Sequence, residues 1–182
     1  MSQPAAPRKN PFLYVVVCAC GIAGDVGDLI AAAQHRGWDV GVVATPRALP
    51  FLDTEAIESR TGYPIRSAWR APGEARPLPP ADAIAVAPAT FNTINKWAAG
   101  ITDTLAFGIL CEAYGTGTPT AVLPHLNSAL AAHPAYTRSL DTLRDMGVLV
   151  SSTAPHRPKS AGGGGNPFRW EEALELLAAA PR

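Results

Sequence analysis

Apolar residues along this chain fall into short runs that alternate with stretches of helical spacing. Residues 12–19 are a Val-rich apolar run between Pro11 and Gly21, which predicts a strand buried on both faces. Val26, Leu29, Ile30 and Ala33 then recur at helical spacing over residues 25–36, and Gly37 marks the stop. The pattern repeats. Residues 38–44 predict a second strand ending at Thr45-Pro46, and residues 50–61 a second helix. Residues 82–87 predict a third strand, followed by a long helix-like run to residue 110. Residues 120–123 and 148–150 predict two further strands, separated by helical spacing over 129–146 with a fresh helix start at Pro134. Residues 170–180 (WEEALELLAAA) predict a closing helix. Residues 63–80, rich in Pro and Arg, predict only a short strand and an irregular connection.

Strand alternating with helix implies an α/β fold. The expectation is a Rossmann-like, doubly wound, mainly parallel sheet flanked by helices in one domain over residues 11–182, with residues 1–10 a flexible tail. In such a sheet ligands bind beyond the carboxyl ends of the strands. Four strand ends carry turn chemistry: Cys20-Gly21, Thr45-Pro46, Pro88-Ala89-Thr90 and Pro124-His125-Leu126-Asn127. They are expected to meet on one edge of the sheet.

Composition narrows the classes. Hydrophobic residues are 47% of the 182 and charged residues 16%, enough for a full core and a weakly charged surface of the kind that oligomers bury. Lys and Arg (15) balance Asp and Glu (15), so no basic excess points to nucleic acid. The apolar run near the start is too short to span a membrane and no transmembrane segment follows. Cys18, Cys20 and Cys111 are an odd set without a ligand cluster. Cys18 and Cys20 are expected on one side of a strand as small core residues, no metal site is expected, and the expected compartment is a reducing cytoplasm.

Candidate chemistry concentrates at the strand ends. Gly21, Ile22 and Ala23 form a small-residue turn before a helix, readable as a tight turn or as a phosphate loop, with Asp25 and Asp28 opposing an anion. Thr45 is a helix cap or a ligand contact, with Arg47 beside it. Asn127 is either an Asx turn or a substrate contact, and His125 and His133 are acid–base candidates without an evident carboxylate partner. In residues 88–104, Asn95, Lys96, Gly100 and Asp103 thread an otherwise apolar run, which points to an internal polar network or to an interface holding a polar ligand. Gly162 to Gly165 form a loop readable as a lid or as a linker.

PATFNTINKWAAGITDTL, residues 88–105, resembles the PASANT-type signature of the flavin-containing cysteine decarboxylases, a family of FMN-binding flavoproteins. The likeness rests on Pro88, Ala89, Asn92, Thr93, Lys96, Gly100, Asp103 and Leu105. Weaker matches follow in order: GIAGDVGDLI to the family's first loop and helix, ATPRA to its second turn, and PHLN to its Pro-x-Met-Asn motif. HPAYTRSLDTLRDMGV is similar to the helix after that motif, and the Gly-rich loop falls where the family carries its substrate clamp.

The resemblance implies a homotrimer, or an assembly of trimers, with FMN at the interface between protomers. Gly21, Ile22, Ala23, Thr45, Arg47, Pro88, Ala89, Thr90, Asn92 and Thr93 would hold phosphate and flavin. Asn127 would recognise a substrate carboxylate. The implied substrate is a small thiol or a peptide, as C-terminal peptidyl cysteine or phosphopantothenoylcysteine. Yet the family's catalytic His lies on a helix just upstream of the third strand, and residues 70–82 here contain four prolines and no His. Leu126 replaces the motif's Met, and Leu130 and Ala131 stand for its later Met and Trp. A flavin prenyltransferase is disfavoured, because its Ser-Met and Arg-Glu pairs are absent. Three readings stay open: an FMN-dependent decarboxylase in which His125 substitutes as base, a flavin-binding regulatory or partner subunit, and a metabolite-binding domain without flavin.

Overall fold

The computed structural model describes residues 9–158 and 167–180. The Gly-rich stretch 162–165 and most of the expected tail lie outside these. Five parallel strands form one sheet in the order β2-β1-β3-β4-β5: β1 Phe12–Val17, β2 Asp39–Ala44, β3 Ala83–Ala89, β4 Thr120–Pro124 and β5 Leu149–Val150. The alternation of strands and helices thus yields the doubly wound sheet expected from the apolar runs. β1 pairs with β2 from Phe12–Asp39 to Val17–Ala44 and with β3 from Leu13–Ala83 to Val16–Val86. Because the chain leaves β1 toward β2 on one side and later returns to β3 on the other, the order reverses beside β1. That reversal opens a crevice at the carboxyl edge.

Every residue of β3 and β4 is buried, as a sheet covered on both faces requires. One face packs Phe12, Val16, Val86, Ile94, Trp97, Leu110 and Val122 under α3 (Phe91–Ala98), α4 (Leu105–Thr116) and α6 (Pro134–Asp145). The other packs Leu13, Val15, Leu29, Ile30, Val42, Leu123 and Leu174 under α1 (Gly27–His35) and α7 (Glu172–Ala179). The remaining helices are α2 (Thr54–Thr61) and the single turn α5 (Ser128–Ala131). Glu172 is buried at the start of α7, where it accepts hydrogen bonds from Ser152 N–H (2.8 Å), Ser152 Oγ (2.9 Å) and Thr153 Oγ1 (3.2 Å). Burial pushes its pKa up. These donors and Arg169 outweigh that, so the carboxyl sits below its ordinary value.

Five expectations are corrected. The run from 91 to 110 is two helices, because Gly100 takes a left-handed φ of +69° and Thr104 caps a new helix by accepting from Phe107 N–H. β1 ends at Val17, so Cys18 and Cys20 lie in the following turn, Cys18 buried and Cys20 half-buried. The helix over 25–36 starts as a 3-10 turn at Ala23–Val26 and becomes α1 only at Gly27. The one over 50–61 is likewise a 3-10 turn at Pro46–Phe51 followed by α2, capped by Asp53. Residues 63–80 contribute no strand, only a bridge of Arg66 to Val43.

Candidate functional site

The carboxyl ends of β1, β2 and β3 meet around a cleft of about 590 Å³, within the range of small-molecule sites. Its walls are Cys18 and Ala19 after β1, Thr45, Pro46 and Arg47 after β2, and Thr90, Asn92, Thr93 and Lys96 at the start of α3. Asp103, Thr104 and Phe107 close it from α4.

The turn after β3 is built by hydrogen bonds that the sequence supplies locally. Thr90 is extended at φ −85°, ψ 165° and caps α3, its Oγ1 accepting from Thr93 N–H at 3.3 Å. The two threonine hydroxyls lie 3.0 Å apart, and Thr93 Oγ1 donates to Cys18 Sγ at 3.1 Å. Thr93 is thereby a buried tie between β1 and α3. Burial, and secondarily the neighbouring Cys20, push the Cys18 thiol up to about 11 against the hydrogen bonds from Thr93 and Thr90. Cys18 is therefore a neutral thiol at physiological pH, a floor to the cleft rather than a nucleophile.

The amino ends of α3 and α4 both open onto this cleft, so the positive ends of the two helices face it. Lys96 forms an ion pair with Asp103 at the rim, its Nζ 5.7 Å over the Phe107 ring. Arg47 is exposed and has no carboxylate partner among the described residues. Thr45 stands at the head of the 3-10 turn with no side-chain capping bond, and Pro46 after it offers no N–H, which leaves the Thr45 hydroxyl to the cleft. Apolar walls, hydroxyls, an amide and two cations suit a flat aromatic ligand with polar edges and an anionic tail.

Other candidates fall around the cleft rather than in it. Gly21, Ile22 and Ala23 form the turn into α1, with Ala23 buried and its N–H donating to Cys20 O at 3.1 Å. Pro88 and Ala89 are buried as the last residues of β3 and carry the Thr90 turn. Asn95 holds two helices together: Nδ2 donates to Phe91 O (2.9 Å) and Oδ1 accepts from Ser139 Oγ (2.8 Å) on α6. His133 caps α6, Nδ1 accepting from Ala135 N–H at 3.1 Å.

His125 and Asn127 follow β4 at the same sheet edge but outside the lining of the cleft. His125 packs against His156 (centroids 4.7 Å apart) and edge-on to Phe168 (5.5 Å). Burial, and then the neighbouring His156, hold its pKa below 6.5. Asn127 caps α5 by accepting from Leu130 N–H at 2.9 Å, and its backbone bridges to His156.

Three cleft residues escape a reading of the sequence as a site. Cys18 looks like plain core, and its contact with Thr93 spans 75 residues. Thr104 and Phe107 reach the cleft only because the chain breaks at Gly100; the Gly-x-x-x-Thr spacing was the available signal. No group of three or more His, Cys, Asp and Glu that could hold a metal exists among the described residues, and no helix there is long and apolar enough to cross a membrane.

Comparison with known proteins agrees with this architecture. The chain is 28% identical over 168 residues to the coenzyme A biosynthesis bifunctional protein CoaBC of Escherichia coli, covering 86% of this chain and 40% of that protein. It is 31% identical over 179 residues to CoaBC of Mycobacterium bovis, covering 94% and 41%. The chain thus spans about two fifths of the length of these curated relatives. Among solved structures, a mutant PPC decarboxylase complexed with pantothenoylaminoethenethiol superposes with a TM-score of 0.74 at 22% identity, over 94% of this chain and all of that one. The FMN-dependent cysteine decarboxylase TvaF from thioviridamide biosynthesis gives 0.71 at 26% identity, over 92% and 98%. A family model described as Flavoprotein matches residues 2–174, and the chain belongs to that flavoprotein family.

Proposed function

We propose that this protein binds FMN in the cleft at the carboxyl ends of β1, β2 and β3 and oxidatively decarboxylates a cysteine-containing substrate. The observation that carries the reading is the cleft itself: capped amino ends of α3 and α4, the Thr90–Thr93 hydroxyl pair and Arg47 around apolar walls, in a chain of the flavoprotein family. The names of CoaBC, PPC decarboxylase and TvaF support the substrate class, either a peptide ending in cysteine or phosphopantothenoylcysteine.

Bound FMN supplies a two-electron acceptor. The protein's part is to hold and orient. Thr45, Arg47 and the α3 amino end carry the phosphate; Thr90, Asn92 and Phe107 carry the flat ring; Cys18 and Thr93 fix the floor. Asn127 is assigned the substrate carboxylate and His125 the thiol proton, both from the end of β4. The working assembly is a homotrimer or a multiple of trimers with the flavin between protomers, in the cytoplasm.

A second reading is a flavin-binding regulatory subunit without decarboxylase activity. The sequence and structure of residues 70–82 favour it, since they contain no His and form no helix. One experiment separates the readings. The purified protein is expected to be yellow, and a C-terminal cysteine peptide or phosphopantothenoylcysteine added without oxygen should bleach the flavin and release CO₂. A flavin spectrum that never responds selects the second reading, and a colourless protein that FMN does not reconstitute removes both. His125→Asn with flavin retained should abolish turnover; unchanged turnover takes His125 out of the chemistry.

A further inference from the structure

Residues 64–80 leave a second concavity, whose lining shares no residue with the cleft. The segment lacks helix and strand, but it is pinned. Arg66 N–H donates to Val42 O (3.0 Å) and Arg66 O accepts from Ala44 N–H (2.7 Å). Leu78 is buried, and Tyr14 OH donates to Pro79 O at 2.7 Å. Trp69 lies on the bare backbone of Gly108, where a Cβ would sit 2.3 Å from the indole, and is still 60% exposed.

Between this segment and α4 runs an open groove of about 450 Å³, lined on one side by Arg66, Arg70 and Arg76 and walled by Tyr14, Trp69 and Ile109. None of the three guanidiniums has a carboxylate within ion-pair distance among the described residues. Arg70 donates to the Glu74 carbonyl, and the Glu74 carboxylate accepts from Ala71 N–H (2.9 Å). The three like charges are close enough that Arg70 and Arg76 add to burial in holding the Arg66 pKa low, against the pull of Tyr14. A chain with zero formal charge overall has gathered three unpaired cations on one short segment.

The opposite wall decides what kind of anion fits. Glu112 and Thr116 line it from the carboxyl-terminal half of α4, the negative end of that helix. A compact dianion such as phosphate would meet this field head-on. An extended ligand can place acidic side chains along the arginines and seat an apolar side chain on the exposed indole. We propose that this groove docks an acidic peptide segment carrying an apolar anchor residue. The assignment does not depend on the flavin reading.

The test uses the full-length protein. A random dodecapeptide library is selected on it, and the winners are synthesised with a fluorescent label and titrated by anisotropy. Winners are expected to be acidic with at least one large apolar residue, and their affinity to fall steeply from low to physiological salt. Arg70→Gln/Arg76→Gln and, separately, Trp69→Ala should each weaken binding about tenfold or more, with melting temperature and visible spectrum unchanged. No enrichment of acidic sequences overturns the proposal. So does equal binding by the variants, or displacement of the peptide by inorganic phosphate at constant ionic strength, which would mark a compact-anion site.

Discussion

The cleft at the strand ends and the arginine groove are two concave regions built in opposite ways. In the cleft most polar side chains are tied to the fold, while Thr45 and Arg47 stay open to a ligand: Thr90 caps α3, Thr93 ties Thr90 to Cys18, Thr104 caps α4, and Lys96 pairs with Asp103. Its helix α3 also carries Ile94 and Trp97 into the core, so the binding wall and the fold are one object. The groove hangs on a few pins. Its cations form no ion pair among the described residues, and Arg66 and Arg70 donate only to backbone carbonyls there. A cleft of the first kind is expected to fail by unfolding, and a groove of the second kind by losing its ligand while the protein stays folded.

The sharpest way to break that contrast is to truncate one tryptophan from each region. Trp97 is 1% exposed, so Trp97→Ala should cost about 3–5 kcal/mol in urea unfolding. Its Nε1 has no hydrogen-bond partner among the described residues, so Trp97→Phe should recover much of the loss. Trp69→Ala removes an indole that is already 60% exposed and should cost less than about 1 kcal/mol. Equal losses would mean that the groove is as much a part of the core as α3 is.

A smaller effect separates capping from surface charge. Thr90→Ala removes the acceptor for Thr93 N–H and should lower stability by about 1 kcal/mol. It should also weaken flavin retention, because Thr93 and the floor at Cys18 lose a partner. Arg76→Gln, at an exposed position of the groove segment, should leave both within error.

The two regions also differ in how far they can be read from residues alone. The strands announce themselves as apolar runs, and once they alternate with helices the carboxyl edge follows; Thr45, Arg47, Thr90, Asn92 and Thr93 come to line the cleft because they sit at strand ends. What hides is the long-range part. The Thr93–Cys18 bond depends on the register of β1 against β3, and the helix break at 99–104 depends on Gly100 adopting a positive φ within a run of helical periodicity. In residues 64–80 there is no period to read. Their course is set by a bridge to β2, by the seat of Trp69 on Gly108 and by Tyr14 reaching Pro79, none of them local in sequence. Arginines spaced four and six apart acquire meaning only when that course brings them to one groove.

The smallest expected effect concerns protons. Arginine keeps its charge throughout the physiological range, so peptide binding in the groove should be flat between roughly pH 8 and 5, apart from titration of the peptide itself. The end of β4 differs. The His125 imidazole is half-buried against Phe168 and His156, and its folded pKa lies below 6.5. In the unfolded chain the same group takes up its proton near the ordinary value, so between the two pKa values the unfolded state binds more protons. Stability from this site is fully present above 6.5 and is lost as the pH falls through the folded pKa, below which the loss levels off. Burial is the larger cause and His156 the smaller. His156→Gln should therefore flatten the fall in melting temperature over this window without abolishing it. A slope identical to the parent would assign the whole shift to burial beside Phe168, whereas a slope that vanishes would make the His125–His156 contact the dominant cause.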